Sequence, residues 1–271
     1  MTREGEVDLS DMNPRGRFSG RAGDYVRYRP DYPEAALDAI LEGLGDPALL
    51  TAADVGAGTG ISARQLASRG VRVLAVEPNL EMRAAAGAHA LIECWDGAAE
   101  ATGLAPSSVR LVLCAQAFHW FRAREALAEF HRILEPGGRL ALMWNSRDRS
   151  DPLTRGYVEA IHAVNGEHPA ELRPFDPGSI AAGGLFTPPQ ELRFPHRQTL
   201  DLEGLVGRAA SASYVPREGP GFERLRALLE EVWKRERDAR GMVAMRYGTE
   251  VYLADRRSPG TPPLAAPGQA R

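Results

Sequence analysis

The sequence is poor in three kinds of residue on which whole classes of chemistry depend. Two cysteines, Cys94 and Cys114, in 271 residues cannot build a disulfide framework. Of 33 basic residues Lys234 is the one lysine, and it lies in the charge-rich stretch Glu230–Arg240. That excludes the Gly-Lys pair of a P-loop and gives no desolvated amine for Schiff-base work. Charge-free runs such as Leu111–Phe121 are too short to cross a bilayer, and Met1–Arg17 is polar where a signal peptide would be apolar. A net charge of -3 gives no footing for a general phosphate-backbone binder. The six histidines include no i, i+4 pair, so no metal site is expected. These absences predict a cytoplasmic protein that engages neither membrane nor nucleic acid.

What is present is 44% hydrophobic residues, enough for a sizeable core, in alternating β-rich and helical patterns. Strands are expected at Leu50–Val55, Arg72–Glu77, Leu91–Trp95, Val109–Ala115 and Arg139–Trp144. Helices are expected at Glu34–Leu44, Ile61–Arg69, Leu80–Ala86 and Ala123–Leu134. The last carries Leu127, Phe130, His131 and Leu134 on one face and is stopped by Pro136-Gly137-Gly138. Farther on, Ser150–Asn165 and Phe222–Arg240 read as helices, Leu192–Leu200 and Met242–Ala254 as strands, and the Pro-rich stretch 168–189 as loop. No linker divides these, so one domain is expected over 15–257, with an N-terminal lid (15–45) and cap insertions at about 150–190 and 202–240. The ends, 1–14 and 258–271, have the composition of disordered tails. The fold class is α/β, a parallel sheet covered by helices on both faces.

The chemistry gathers at the first strand's exit, Asp54-Val55-Gly56-Ala57-Gly58-Thr59-Gly60. Glycines let a backbone turn tightly and approach a ligand closely. A dinucleotide fingerprint would need a third glycine where Ile61 stands. An acid two positions before Gly56 is also a poor neighbour for a pyrophosphate, yet it suits a ligand with an ammonium or sulfonium group. Glu77, 77 − 56 = 21 residues after Gly56, closes the second strand where an acceptor for ribose hydroxyls belongs.

These motifs resemble those of the class I S-adenosylmethionine (SAM)-dependent methyltransferases of small-molecule type. Gly97-Ala98-Ala99-Glu100 resembles the family's adenine-contacting turn, and Gln116–Phe121 the segment after its fourth strand. Leu134–Gly138 resembles the turn before its fifth, and Tyr25–Pro33 an N-terminal segment of many members. The resemblance runs through Phe18–Trp144 and more faintly to Arg256. It implies a three-layer Rossmann-like sandwich around a mostly parallel seven-stranded sheet with an antiparallel last strand, and S-adenosyl-L-methionine as cofactor. It implies that Asp54 holds the loop and attracts the methionine amino group, that Gly56, Ala57, Gly58 and Gly60 cradle the cofactor, and that Glu77 and Pro78 flank the ribose. Asp96, Ala98 and Ala99 would meet adenine, with Trp95 either stacked there or in the core, and Gln116 would face the methionine.

Arg15, Arg17, Arg21, Arg27 and Arg29, interleaved with Phe18, Tyr25 and Tyr28, read as a lid in which Tyr25 or Arg29 meets the cofactor carboxylate. His119 is the candidate general base, because it follows the fourth strand at the carboxyl edge. The acceptor is expected to be a small metabolite or natural product methylated on O or N, enclosed by Trp144, Asn145, Arg147, Tyr157, Phe175, Tyr214 and Trp233. Cys114-Ala115-Gln116-Ala117 lacks the Asn-Pro-Pro-aromatic and Pro-Cys signatures of nucleic-acid methylation. Two alternatives stand beside this reading. One is a protein of the same fold that binds SAM without transferring methyl (a cyclase, regulator or partner subunit); the other is an NAD(P)-dependent oxidoreductase.

Overall fold

The computed structural model describes residues 22–168 and 175–258. The expectations for Met1–Pro14, for Arg15, Arg17, Phe18 and Arg21, and for the tail beyond Ser258 lie outside that range. Among the described residues the strands form one seven-stranded sheet of order β3-β2-β1-β4-β5-β7-β6. They are β1 (Thr51–Val55), β2 (Arg72–Val76), β3 (Ile92–Trp95), β4 (Val109–Ala115), β5 (Leu134–Arg147), β6 (Gln190–Leu200) and β7 (Val243–Asp255). β1 pairs in parallel with β2 and β4, and β4 with β5, whereas β7 runs antiparallel between β5 and β6. This is the sandwich the family resemblance implied.

The central strands are apolar throughout because both faces are covered. On β4, Leu111 and Leu113 join Leu37, Ile40 and Leu66 in one core, while Val112 and Cys114 join Phe130 and Ile133 in another. The first core lies under α2 (Glu34–Leu41) and α3 (Ile61–Ala67), the second under α5 (Ala123–Ile133). A third core, around Tyr157, Leu205, Leu225, Leu229 and Tyr247, binds the cap to the ends of β6 and β7. The cap consists of α6 (Pro152–Asn165), a short α7 (Gly178–Ala182), α8 (Leu202–Ala210) and α9 (Gly219–Glu236). The remaining helices, α1 (Ala22–Tyr28) and α4 (Leu80–Ala85), flank the carboxyl edge, and α1 packs against both α4 and α8.

Several boundaries differ from the sequence reading. β5 runs on to Arg147, the helix expected at Phe222–Arg240 is Gly219–Glu236, and the stretch read as loop holds α7. Two further differences have clear local reasons. α2 ends at Leu41 rather than Leu44 because Glu42 turns to ψ 127 and Gly43 takes φ 76. β5 starts at Leu134, five residues early, because Leu134 pairs with Val109 across a bulge before the regular register resumes at Leu111↔Arg139. The cap stretch 202–240 is two helices separated by a turn around Tyr214 and Val215.

Candidate active site

In this strand order the chain leaves β1 toward β2 on one side and returns at β4 on the other, which opens a crevice at the carboxyl ends of β1 and β4. A cavity of about 510 Å³ lies there, within the range of small-molecule sites. Its floor is the glycine loop. Gly56 and Ala57 donate backbone N–H bonds to Val76 O at 2.9 and 3.2 Å, folding the loop over the end of β2. Gly56 has φ +73, and a Cβ there would lie 2.6 Å from the Ala117 Cβ and 3.0 Å from the Phe121 ring. Backbone conformation and space therefore both demand glycine.

Glu77 is drawn into the floor. Its carboxylate accepts from Gly58 N–H and from Asn79 N–H, each at 2.9 Å. Burial raises its pKa, and those two bonds act in the opposite direction. Each oxygen keeps lone-pair capacity for a further donor, as a ribose diol requires. Asp54 lies beneath the loop, fully buried. One carboxylate oxygen accepts from Ser62 Oγ at 2.7 Å, and the other is without a partner among the described residues. Desolvation pushes its pKa up to about 7, opposed by the Ser62 bond. Thr59, which lines the cavity, also keeps its buried hydroxyl unpartnered among the described residues.

Of the residues expected to hold the cofactor, Tyr25, Gly56, Ala57, Gly58, Glu77, Pro78, Ala98, Ala99 and Gln116 line the cavity together. Four stand behind it. Asp54 and Gly60 brace the loop from below and at its junction with α3, where Gly60 is the N-cap. Arg29 stacks on the Tyr25 ring at 4.4 Å from its centroid. Asp96 is largely exposed and pairs at 3.0 Å with Arg83, which also holds Glu77 O. Trp95 packs on the second core. Tyr32, Met82, Glu100, Trp120, Phe121 and Arg122 complete the wall. Sequence reasoning gave no individual role to Tyr32, Glu100, Met82 or Arg122, because their place depends on contacts between distant elements. Tyr32, Glu100, Trp120 and Phe121 stand in segments on which the family resemblance rests, whereas Met82 and Arg122 carried no signal.

Gln116 adopts φ +59, rare for a side chain of its size. Strain of this kind gathers at sites where the backbone is held for a purpose. Here Gln116 N–H donates to Met143 O, while its Nε2 reaches Asn145 O at 3.3 Å. His119 follows in a single turn of 3-10 helix, Phe118–Trp120, beside the cavity rather than among its lining residues, and its Nδ1 accepts from Trp144 Nε1 at 3.2 Å. In the neutral ring that bond places the proton on Nε2, which makes Nε2 a donor. None of Trp144, Asn145, Arg147, Tyr157, Phe175, Tyr214 and Trp233, expected to enclose the acceptor, lines this cavity either. Among the described residues no three His, Cys, Asp or Glu side chains converge as metal ligands. No helix among them is long and apolar enough to cross a membrane.

The cavity suits SAM on its own terms. It has a paired acceptor for vicinal hydroxyls at Glu77, a close-approach backbone at Gly56, and an unpartnered carboxylate oxygen beneath the loop at Asp54. A fold and floor of this type define a nucleoside-binding transferase. A methyltransferase domain family matches residues 53–142. An uncharacterized methyltransferase of Schizosaccharomyces pombe is 32% identical over 225 residues, covering 80% of this chain and 87% of its own. One of Mycobacterium tuberculosis is 35% identical over 201 residues, covering 73% and 76%. Among solved structures, the YcgJ protein of Bacillus subtilis superposes with TM-score 0.54 at 17% identity, covering 83% of this chain and all of that one. Phosphoethanolamine N-methyltransferase 2 of Haemonchus contortus, in complex with phosphomonomethylethanolamine and S-adenosylhomocysteine, gives 0.53 at 16%, covering 93% and 61%. This chain belongs to the class I SAM-dependent methyltransferases, and SAM is its cofactor.

Proposed function

We propose that the protein transfers the methyl group of SAM to an oxygen or nitrogen of a small-molecule acceptor. The observation that carries this reading is the closure of the site by the chain's own lid. Tyr25 from α1 lines the same cavity as Gly56 and Glu77, and α1 is tied down on the far side. Tyr28 O accepts from Gln198 Nε2 at 2.8 Å, and Asp24 pairs with Arg217 at 2.9 Å. A roof anchored at both faces leaves room for a metabolite rather than a polymer.

The residue roles follow from their placement. Glu77 takes the ribose hydroxyls, the 98–99 turn meets adenine, and Gln116 faces the methionine portion. Tyr25, with Arg29 stacked behind it, addresses the methionine carboxylate. Asp54 and Gly60 act through the loop they brace, and Asp96 acts through Arg83. When bound, SAM supplies a methyl already activated by its sulfonium, so alignment of the acceptor provides most of the rate. His119 is the proposed catalytic side chain. With Nδ1 engaged by Trp144, its Nε2–H orients an acceptor oxygen; accepting a proton at Nδ1 would require Trp144 to let go.

The test is formation of S-adenosylhomocysteine from SAM with a panel of small hydroxy acids, phenols, amines and carboxylates, with mass spectrometry of the product. O- or N-methylation of a panel member supports the reading. Label appearing only in added protein or nucleic acid, or on carbon, overturns it. SAM binding without turnover on any acceptor favours the non-transferring alternative.

A further inference from the structure

The turn expected to meet adenine is held from behind by a charged pair on α5. Ala98 N–H donates to Ala101 O at 3.2 Å and Ala101 N–H to Ala98 O at 3.0 Å. Those two bonds close the turn whose Ala98, Ala99 and Glu100 line the cavity. Its ends are pressed together, so that a Cβ at Gly97 would lie 2.5 Å from Thr102 O. Thr102, fully buried, gives both of its donors to one acceptor. Its N–H reaches Glu129 Oε1 at 2.9 Å, and its hydroxyl reaches the same oxygen at 2.6 Å. Thr102 Oγ1 in turn accepts from Leu104 N–H at 3.2 Å.

Glu129 lies in the second half of α5 and is 8% exposed, where a lone carboxylate would be costly. Arg132, about one helical turn on, balances it: Nε donates to Oε2 at 2.6 Å and Nη2 to Oε1 at 2.7 Å. Arg132 Nη2 also holds Leu104 O at 2.7 Å. Burial acts to raise the Glu129 pKa, but the bonds from Arg132 and Thr102 outweigh it and hold the carboxyl below its usual value. At the other end of the turn, Glu100 accepts at 2.9 Å from the N–H of Arg122, the N-cap of α5. One helix thus grips the turn twice, first at Glu100 and then, about two helical turns along, at Thr102. Neither Glu129 nor Arg132 lines the cavity; both act on it through the backbone they fix. An ion pair sunk into a core adds little net stability over apolar residues of like volume. What this one supplies is a single position for Thr102 and the turn before it.

We infer that Glu129, supported by Arg132, is a positioning residue for base specificity: it sets the 98–100 backbone against the edge of the cofactor's adenine, so that the site tells adenine from other purines. The inference rests on the reading above that this turn meets adenine. Hydrogen bonds weaken steeply with angle, so a base edge read by backbone groups tolerates little displacement of the turn. Hypoxanthine carries a carbonyl where adenine has its amine, and an N–H where adenine has the N1 acceptor. A fixed backbone therefore faces the wrong partner at both atoms.

The test titrates the full chain with S-adenosylhomocysteine and S-inosylhomocysteine by calorimetry, in the wild type, Glu129→Ala, Glu129→Gln and Thr102→Val. The wild type is expected to prefer the adenosyl compound by about tenfold or more. In Glu129→Ala the preference falls to roughly threefold or less, while S-inosylhomocysteine keeps its wild-type affinity within about threefold, so the loss falls on the base. Glu129→Gln still offers Thr102 an acceptor oxygen and keeps the preference within about threefold of the wild type. A merely structural glutamate would lower the melting temperature and weaken both compounds in parallel, and that result overturns the inference. So does a Gln variant as unselective as the Ala variant, which would cut the link through Thr102.

Should Glu129→Ala not fold, Thr102→Val carries the same comparison. Loss of its hydroxyl bond is expected to lower the preference roughly threefold, and an unchanged preference overturns the inference. A wild type that discriminates while every variant discriminates equally sinks this inference alone. A wild type that binds the two compounds equally sinks the reading of the turn as well.

Discussion

Glu77 and Asp54 are two acids on one loop whose consequences differ in kind. Glu77→Ala removes an acceptor for two hydroxyls, and hydrogen bonds to a charged group are worth about 1.5–3 kcal/mol each. S-adenosylhomocysteine affinity is therefore expected to fall roughly 10²- to 10⁴-fold by calorimetry with the circular dichroism spectrum unchanged; an unaltered affinity would remove Glu77 from the ribose. Asp54 titrates instead. Its native pKa, raised by burial to about 7, stands above the usual carboxylate value, so the native state favours the protonated form. Its stability contribution is complete at acid pH and is lost as pH rises through about 7. A cofactor ammonium favours the ionised form, so binding below pH 7 releases a proton and affinity climbs with pH toward 7. Calorimetry in buffers of different ionisation heat reads that proton directly, and Asp54→Asn abolishes the release. His119→Ala is expected to lower kcat at saturating substrates about tenfold or more while leaving S-adenosylhomocysteine affinity within twofold; unchanged turnover would remove it from the mechanism. At this scale the sequence disclosed the loop and Glu77, since both follow from spacing along one β-turn-α unit. It concealed the contact of the lid with the end of α8, where Arg29 Nη2 donates to Ser211 O at 3.2 Å, because residues 182 positions apart meet only after the cap closes.

The lid and the cap helix meet at Gly207. A Cβ there would sit 2.4 Å from the Tyr28 ring, inside any permitted contact, so the ring or the lid that carries it must shift. Gly207→Ala is expected to lift α1 from α8, with an overpacking cost of about 1–3 kcal/mol. The readouts are faster proteolysis near Tyr28 and Arg29 and cofactor affinity lower by about tenfold; an unaffected lid would show that α1 is held by its ion pair and carbonyl bond alone. The strands and helices bearing the site were legible as elements because a parallel sheet buried on both faces writes unbroken apolar runs. The early start of β5 was not, since Glu135-Pro136-Gly137-Gly138 has the chemistry of a turn and forms the bulge between Leu134↔Val109 and Arg139↔Leu111, with Gly137 at φ 71. The 202–240 stretch resolved into two helices because Tyr214 and Val215 turn inward between them.

Across the whole molecule, β5 is shared between the transfer site and the cap, and the third core seals the cap onto β6 and β7. We therefore expect one domain, seen as a single calorimetric transition for the full chain. S-adenosylhomocysteine at 100 times its Kd adds about 2.7 kcal/mol, which moves the midpoint up roughly 5–10 °C without splitting it. A second, ligand-insensitive transition would mean that the cap is an independent unit. The strand order has a further consequence, in time rather than in space. β5 is complete at Arg147, but the strand that covers its open side runs from Val243 to Asp255. At about 5–20 residues per second on the ribosome, the roughly 100 residues between them take about 5–20 s. Throughout that interval Leu140, Leu142 and Trp144 stand on an uncapped strand edge, and nascent chains are most prone to pair with one another there.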